Sequence, residues 1–273
     1  MEVAETRQPS TGALEVKASV IPQKLHARKY DAPAPSNIFL KRSVGKQCRD
    51  MRRSHIPDIC HIAADITSGA PMDDESYLND IRNGLKNSVE FFASQDKFIR
   101  ERWVVENFLT NLSIQFTETD LFPGADPPDV IFRDAQFEVK EILDKGRKRH
   151  TEYKRALDRA NATVDPAETI EMYSPKDISV QDVFALVHSV AADFATRKYS
   201  PKTRIQMDLL CYVNLEEVTG LVETPFPDIT SLALLGYRSV SFLIGHRSCV
   251  LCADPNAPSF LRLPSGIIHR EAT

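Results

Sequence analysis
Two carboxylates and a lysine fall close together in the stretch PDVIFRDAQFEVKEIL, residues 128–143. Val130, Ile131 and Phe132 form a short apolar run, and Phe137 to Leu143 form a second one with a period of two. Two such runs joined by the polar residues Arg133 to Gln136 predict a β-hairpin. On the second strand Phe137, Val139 and Leu143 take one face, and Glu138, Lys140 and Ile142 the other. Asp129 opens the first strand, so two carboxylates on adjacent strands approach each other. That pair suits one hard divalent cation, with coordination positions left for water and a phosphate oxygen. Lys140 projects from the same face as Glu138, where an ammonium can orient an attacking water or offset charge building on phosphate. Elsewhere, Glu15-Val16-Lys17 and Glu152-Tyr153-Lys154 repeat the tripeptide, and Asp58 and Asp228 also follow proline. Only positions 129, 138 and 140 combine both parts at hairpin spacing. The competing reading is an exposed hairpin whose polar face is simply solvated.

The elements around the hairpin must position it. Between Asp74 and Ala93, Tyr77, Leu78, Ile81, Leu85, Val89 and Phe92 recur at three and four, an amphipathic helix. A second helix is predicted from Lys97 to Leu112, capped by Asp96, with Phe98, Val105, Phe108, Leu109 and Leu112 inward and Trp103 read as core. Ser113 to Glu118 reads as a first strand, and Phe122 to Pro128 as a rigid loop delivering Asp129.

Beyond the hairpin, residues 144–159 hold seven Lys and Arg against three Asp and Glu, a basic helix beginning beside the second strand. Its Arg147, Lys148, Arg149, Lys154 and Arg155 are candidates to grip a phosphate backbone, against the alternative of a solvated basic face. Ser179 caps a helix with Val183, Leu186, Val187, Val190 and Phe194 inward. Ile205 to Leu215 reads as a central strand buried on both faces, with Asp208 at its edge. A short helix over Asp228 to Leu235, a strand over Ser239 to Ile244 and a last strand over Val250 to Ala253 follow. Strands alternating with helices predict one α/β domain over residues 72–273.

The Pro-Asp…Glu-x-Lys arrangement on a hairpin, with the order helix, strand, loop, strand, strand, resembles the PD-(D/E)xK, restriction-endonuclease-like nuclease superfamily. Within it the chain resembles an uncharacterised bacterial family of unknown function, through GYRSVSFLI at 236–244 and the run Pro255 to Leu261. The resemblance implies a restriction-endonuclease-like core, a central mixed sheet flanked by helices, and Mg²⁺ or Mn²⁺ held by Asp129 and Glu138, with the Val139 carbonyl as a further ligand. It implies Lys140 as the group that positions water. It also implies a Glu from the preceding helix, for which Glu101 in the run ERWVVENFLTNL is the match and Glu106 the fallback. A homodimer is a family expectation of the same kind.

Composition narrows the partners. Residues 1–71 carry 11 Lys and Arg against 7 Asp and Glu, and the remainder 23 against 31, a net −8. An acidic body argues against non-specific binding of nucleic acid over the whole surface, so any such contact is local. Residues 1–71 hold six prolines and no sustained period, and read as disordered or as an over-extended start preceding Met72, with Lys41 to Arg53 as a basic run. Five cysteines without a framework spacing fit a reducing compartment, and Cys249-x-x-Cys252 lies in an apolar run. No apolar run of membrane-spanning length is present, and the expected location is cytoplasmic. Ten glycines without a phosphate-loop spacing disfavour a nucleotide-hydrolase reading. The expected activity is metal-dependent hydrolysis of nucleic-acid phosphodiesters. The alternative is a non-catalytic interaction protein retaining the nuclease-like fold.

Overall fold
The computed structural model describes residues 73–93, 97–170 and 174–270. The expectations for residues 1–71 and for an Asp96 cap lie outside the described residues. The first helix, α1 (Asp74–Phe91), starts where the Asp73 carboxylate accepts the Ser76 N–H at 2.9 Å, with Asp74 and Glu75 in its first turn. The second, α2 (Lys97–Asn111), buries Val104, Val105, Phe108 and Leu109 on one stripe.

The predicted strand over Ser113 to Glu118 does not form. Ser113 takes φ 58°, and the Ile114 N–H reaches back to Leu109 O at 2.9 Å, a six-to-one closure that ends the helix and reverses the chain. Thr117 and Asp120 then cap a 3₁₀ turn over Glu118–Asp120 reciprocally. The first strand, β1 (Leu121–Pro123), comes only after it.

The hairpin forms as expected, with β2 (Val130–Phe132) antiparallel to β3 (Ala135–Ile142) and Arg133 at φ 54° in the two-residue turn. Helix α3 (Arg149–Ala162), a 3₁₀ turn (Pro166–Thr169) and β4 (Lys176–Ser179) follow. Ser179 then caps α4 (Val180–Arg197) by accepting the Asp182 N–H. The rest comprises α5 (Pro201–Arg204), β5 (Asp208–Val213), β6 (Val218–Val222), α6 (Thr230–Ala233), β7 (Ser239–Ile244), β8 (Arg247–Ala253), α7 (Ser259–Arg262) and β9 (Ile268–Arg270). The predicted last strand therefore begins three residues earlier and is followed by another. The β4 and β6 pair was not anticipated; four- and five-residue segments leave too little pattern to read.

Among the described residues, seven strands make one mixed sheet in the order β1-β2-β3-β5-β7-β8-β9, and β4 and β6 form a separate parallel pair. Strands β3, β5 and β7 run parallel, and the flanking neighbours run antiparallel. Helix α4 covers one face, packing Val183, Val187 and Ala191 on Ile142, Leu209, Cys211 and Phe242. Helix α2 covers the other, where Phe108 meets Phe137 edge to face at 5.9 Å among Val130, Phe132, Leu210 and Val250. The alternation of β3 thus puts Phe137 under α2 and Glu138 and Ile142 on the α4 side. Helices α1 and α3 pack on each other through Leu85, Tyr153 and Ala160. Among the described residues, no helix is long and apolar enough to cross a membrane.

Asp208, read as lying at a strand edge, begins β5 but is only 1% exposed. It accepts from Arg238, from Ser239 Oγ at 2.8 Å and from the Gln136 N–H at 2.8 Å. Burial lifts its carboxyl above the ordinary range, and the Arg238 guanidinium pulls it back.

The loop before β2 tolerates no side chain at Gly124, whose N–H donates to Asp129 O at 3.0 Å. A Cβ there would stand 2.0 Å from Pro128 O, a backbone atom that cannot swing aside. Gly124→Ala is therefore expected to destabilise the fold by about 1–3 kcal/mol, the usual range for overpacking. A thermal melt beside the parent checks it; an unchanged melting temperature would show that the loop adapts.

Candidate metal and catalytic centre
The site lies where β2 and β3 part. Their pairing runs from Phe132 and Ala135 at the turn to Val130 and Phe137. One residue further out, the Asp129 N–H still donates to Phe137 O at 2.9 Å. The next β3 donor, Val139 N–H, is taken instead by Asp129 Oδ2 at 2.9 Å. The side chain has replaced the carbonyl that a longer β2 would have presented. Asp129 is thereby fixed beside Glu138, while β3 keeps its other edge on β5 as far as Ile142 and Val213.

Asp129 and Glu138 are 8% and 3% exposed. With the exposed Asp126 of the preceding loop, each offers a carboxylate oxygen, and the three oxygens lie within 4.8 Å of one another. Two unit charges at that separation repel by about 3 kcal/mol at an effective dielectric of 20, so the cluster calls for cations. Lys97, from the first turn of α2, supplies one: its Nζ is 2.7 Å from Asp129 Oδ1 and 3.1 Å from Glu101 Oε1. These partners raise the lysine pKa. Lys198, just past α4, supplies another at 3.0 Å from Glu138 Oε1, and the Tyr199 hydroxyl donates to the same oxygen at 2.5 Å. Burial, together with that carboxylate, raises the Tyr199 phenol above its usual value.

Glu138 Oε2 is left buried without a hydrogen-bond partner among the described residues. A buried carboxylate oxygen with no donor is costly unless something outside the chain satisfies it. The donor set is all carboxylate oxygen, the type that Mg²⁺ and Mn²⁺ take. The residues present therefore fit such an ion.

The remaining expected residues separate. Glu101 faces the cluster, and burial first, then the Asp129 charge, push its carboxyl up to about 7 while Lys97 pulls it down. The fallback Glu106 is turned to Arg102, at 2.8 Å. Lys140 is exposed on the Glu138 side of β3, its Nζ 5.9 Å from the centre of the Phe194 ring. Val139 sits between the two with its N–H held by Asp129.

The basic segment is not one open face. Arg147 forks onto Glu152 at 2.8 and 3.0 Å and reaches Asn214 O. Arg149 is 8% exposed, 2.6 Å from Glu141 Oε1 and 3.7 Å over the Phe92 ring. These two hold α3 and β3 in place. Lys148, Lys154 and Arg155 remain exposed. Glu141 is the counterion of Arg149 and also accepts from Asn214.

Residues 73–271 match the model of a family described as "Putative endonuclease, protein of unknown function (DUF1780)". The chain belongs to the DUF1780 family. Comparison with curated proteins finds no match. Among solved structures, the chain matches a protein from Pseudomonas aeruginosa strain PAO1, described as of unknown function and of the monooxygenase superfamily. The two share 27% identity with a TM-score of 0.52, over 74% of this chain and 98% of that one. The DUF1780 description agrees with the nuclease class expected from the hairpin.

Four residues of this DUF1780 centre escaped the sequence reading. Lys97 stands four before Glu101, a helical spacing that pairs them. Asp126 stands three before Asp129 in the Pro-rich loop, where two aspartates so close carry a signal of their own. Lys198 and Tyr199 have no local signal, since packing of α4 on the sheet brings them to Glu138 across sixty residues.

Proposed function
We propose that the protein is a divalent-metal-dependent nuclease of the PD-(D/E)xK kind, with residues 72–273 acting as one domain. The observation that carries the reading is the buried Glu138 Oε2, without a donor, inside a cluster of three carboxylates. Asp129, Glu138 and Asp126 would hold Mg²⁺ or Mn²⁺, with the Val139 carbonyl as a further ligand. When bound, the ion would supply Lewis-acid polarisation of a phosphate oxygen and a more acidic water.

The chain's own residues divide the rest of the work. Tyr199 and Lys198 fix the rotamer of Glu138 through Oε1, leaving Oε2 for the site. Lys97 holds Asp129 and Glu101 in one arrangement. Lys140, from the Glu138 face, orients the water and offsets charge at the phosphate. Glu101, with its pKa near neutrality, accepts or returns a proton at working pH. Lys148, Lys154 and Arg155 steer the nucleic-acid backbone to the site in a body that is otherwise acidic.

The test incubates the full chain with Mg²⁺ or Mn²⁺ and labelled single-stranded, duplex and flapped DNA and RNA, beside Lys140→Ala. The parent should cleave at least one substrate, and the variant should be slower by roughly 10²–10⁴, the usual worth of such a group. The variant should keep its metal binding, because Lys140 is no ligand. No cleavage, with no metal binding by calorimetry, would instead support a non-catalytic interaction protein on the same fold.

A further inference from the structure
A cavity of about 300 Å³ opens beside the carboxylate cluster on the α2 side of the sheet. Lys97, Glu101 and Val139 belong to its wall and also reach the site: Lys97 contacts Asp129 and Glu101, and Val139 donates to Asp129. The lining is also aromatic. Phe91, Trp103 and Tyr212 belong to it, all half-buried, although Trp103 was expected in the core. Phe91 and Trp103 meet edge to face at 79°, and Trp103 and Tyr212 at 73°.

A charged group completes the cavity. Arg149 lines it with only 8% of its surface exposed, and its Nε–H is buried without an acceptor among the described residues. Burying a guanidinium N–H unpaired is unfavourable unless an incoming acceptor meets it. A flat aromatic ligand with an acceptor on its edge satisfies both features. The volume falls at the small end of ligand sites, which run from roughly 300 to 1,000 Å³.

We propose that this cavity holds one unstacked nucleobase of the nucleic acid whose phosphate lies at the carboxylate cluster. The inference rests on the nuclease reading and narrows its substrate. A base in this cavity is not stacked in a duplex, so the strand is single-stranded, frayed or flapped next to the bond that is cut. The rings supply stacking that every base accepts, and Arg149 supplies one edge contact.

Trp103 is the only tryptophan of the chain, so its emission reports on the cavity alone. The full chain with Mg²⁺ is titrated with the four deoxynucleoside 5′-monophosphates and, separately, with ribose 5-phosphate, which carries the phosphate without a base. Nucleotides should change Trp103 emission saturably, and ribose 5-phosphate should not. Phe91→Leu, which keeps apolar bulk and removes a ring, should weaken nucleotide binding by roughly tenfold, within the range that loss of one base–aromatic stack gives. Equal responses to nucleotide and ribose 5-phosphate, or full nucleotide affinity in a folded Phe91→Leu, would overturn the base site.

A second arm separates this inference from the nuclease reading. Single-stranded substrates carrying an abasic residue at successive positions are offered to the parent. Cleavage that slows at one abasic position supports the base site. Cleavage indifferent to every position overturns it while the nuclease reading stands. A nucleotide response with no cleavage of any strand upholds the cavity and sinks the nuclease.

Discussion

Glu138→Gln is expected to leave the protein folded while abolishing both its response to divalent metal and its cleavage. Glutamine keeps the shape of the side chain, and its carbonyl can still accept from Tyr199 and Lys198 as Glu138 Oε1 does. What it replaces is the unpartnered Oε2 and the negative charge. In the parent, Mn²⁺ at about a hundred times its dissociation constant should stabilise the fold by roughly 2.7 kcal/mol. For a domain of this size that raises the melting temperature by roughly 5–10 °C. The variant should show little of that rise. Its cleavage should fall by about 10³ or more, since a metal ion supplies several kcal/mol to such a transition state. Differential scanning fluorimetry across a metal titration reads the first quantity and a single-turnover assay the second. A variant that keeps the full metal-induced rise would remove Glu138 from the ligand set.

The second large effect concerns stability. Arg238→Ala should cost about 3–5 kcal/mol, because it leaves the buried Asp208 carboxylate without its counterion. The loss should exceed that of a surface ion pair several-fold, since only 1% of Asp208 is exposed. The same arginine donates to Asp134 O in the hairpin turn, so the turn loosens too. The pH dependence has a definite sign. Burial raises the folded-state pKa of Asp208 above the unfolded one, so the folded state holds this proton more tightly. The penalty for its charge is absent below the unfolded value and complete above the raised one. Removing Arg238 enlarges the shift, so the gap between variant and parent should be widest at neutral pH and should narrow toward pH 4. Asp208→Asn in the Arg238→Ala background should recover part of the loss. Urea denaturation at several pH values checks both; a gap that stays constant, with no recovery in the double variant, would show that the ion pair is not what the substitution breaks.

What could be read from the letters follows the reach of each signal. The hairpin was legible because alternation over Phe137 to Ile142 and a short polar turn are local. Strand β7 and the Ser179 cap were legible for the same reason, and the apolar run through β5 marked a strand covered on both faces. The chain reversal after α2, where a strand was expected over Ser113 to Glu118, was not, because Ser113 carries no glycine-like signature of the positive φ it adopts. The surroundings of the basic residues were not legible where burial decides them. Arg149 and Arg147 look like their neighbours in sequence, yet they pair with Glu141 and Glu152. Tyr199 and Lys198 became visible only when sixty residues of chain had returned to the sheet. Asp129 and Glu138 were legible, while Asp126 in the loop and the supporting donors were not, since hairpin spacing is a local property and donor placement is a tertiary one.

The departure of β2 from β3 at Asp129 has an implication for transplantation. The carboxylate stands beside Glu138 only because backbone pairing stops one residue early and a side chain fills the gap at the Val139 N–H. The same letters grafted onto a regular hairpin of greater length would satisfy that N–H with a carbonyl and release the aspartate. A working copy of this centre would therefore have to inherit the interruption along with the residues.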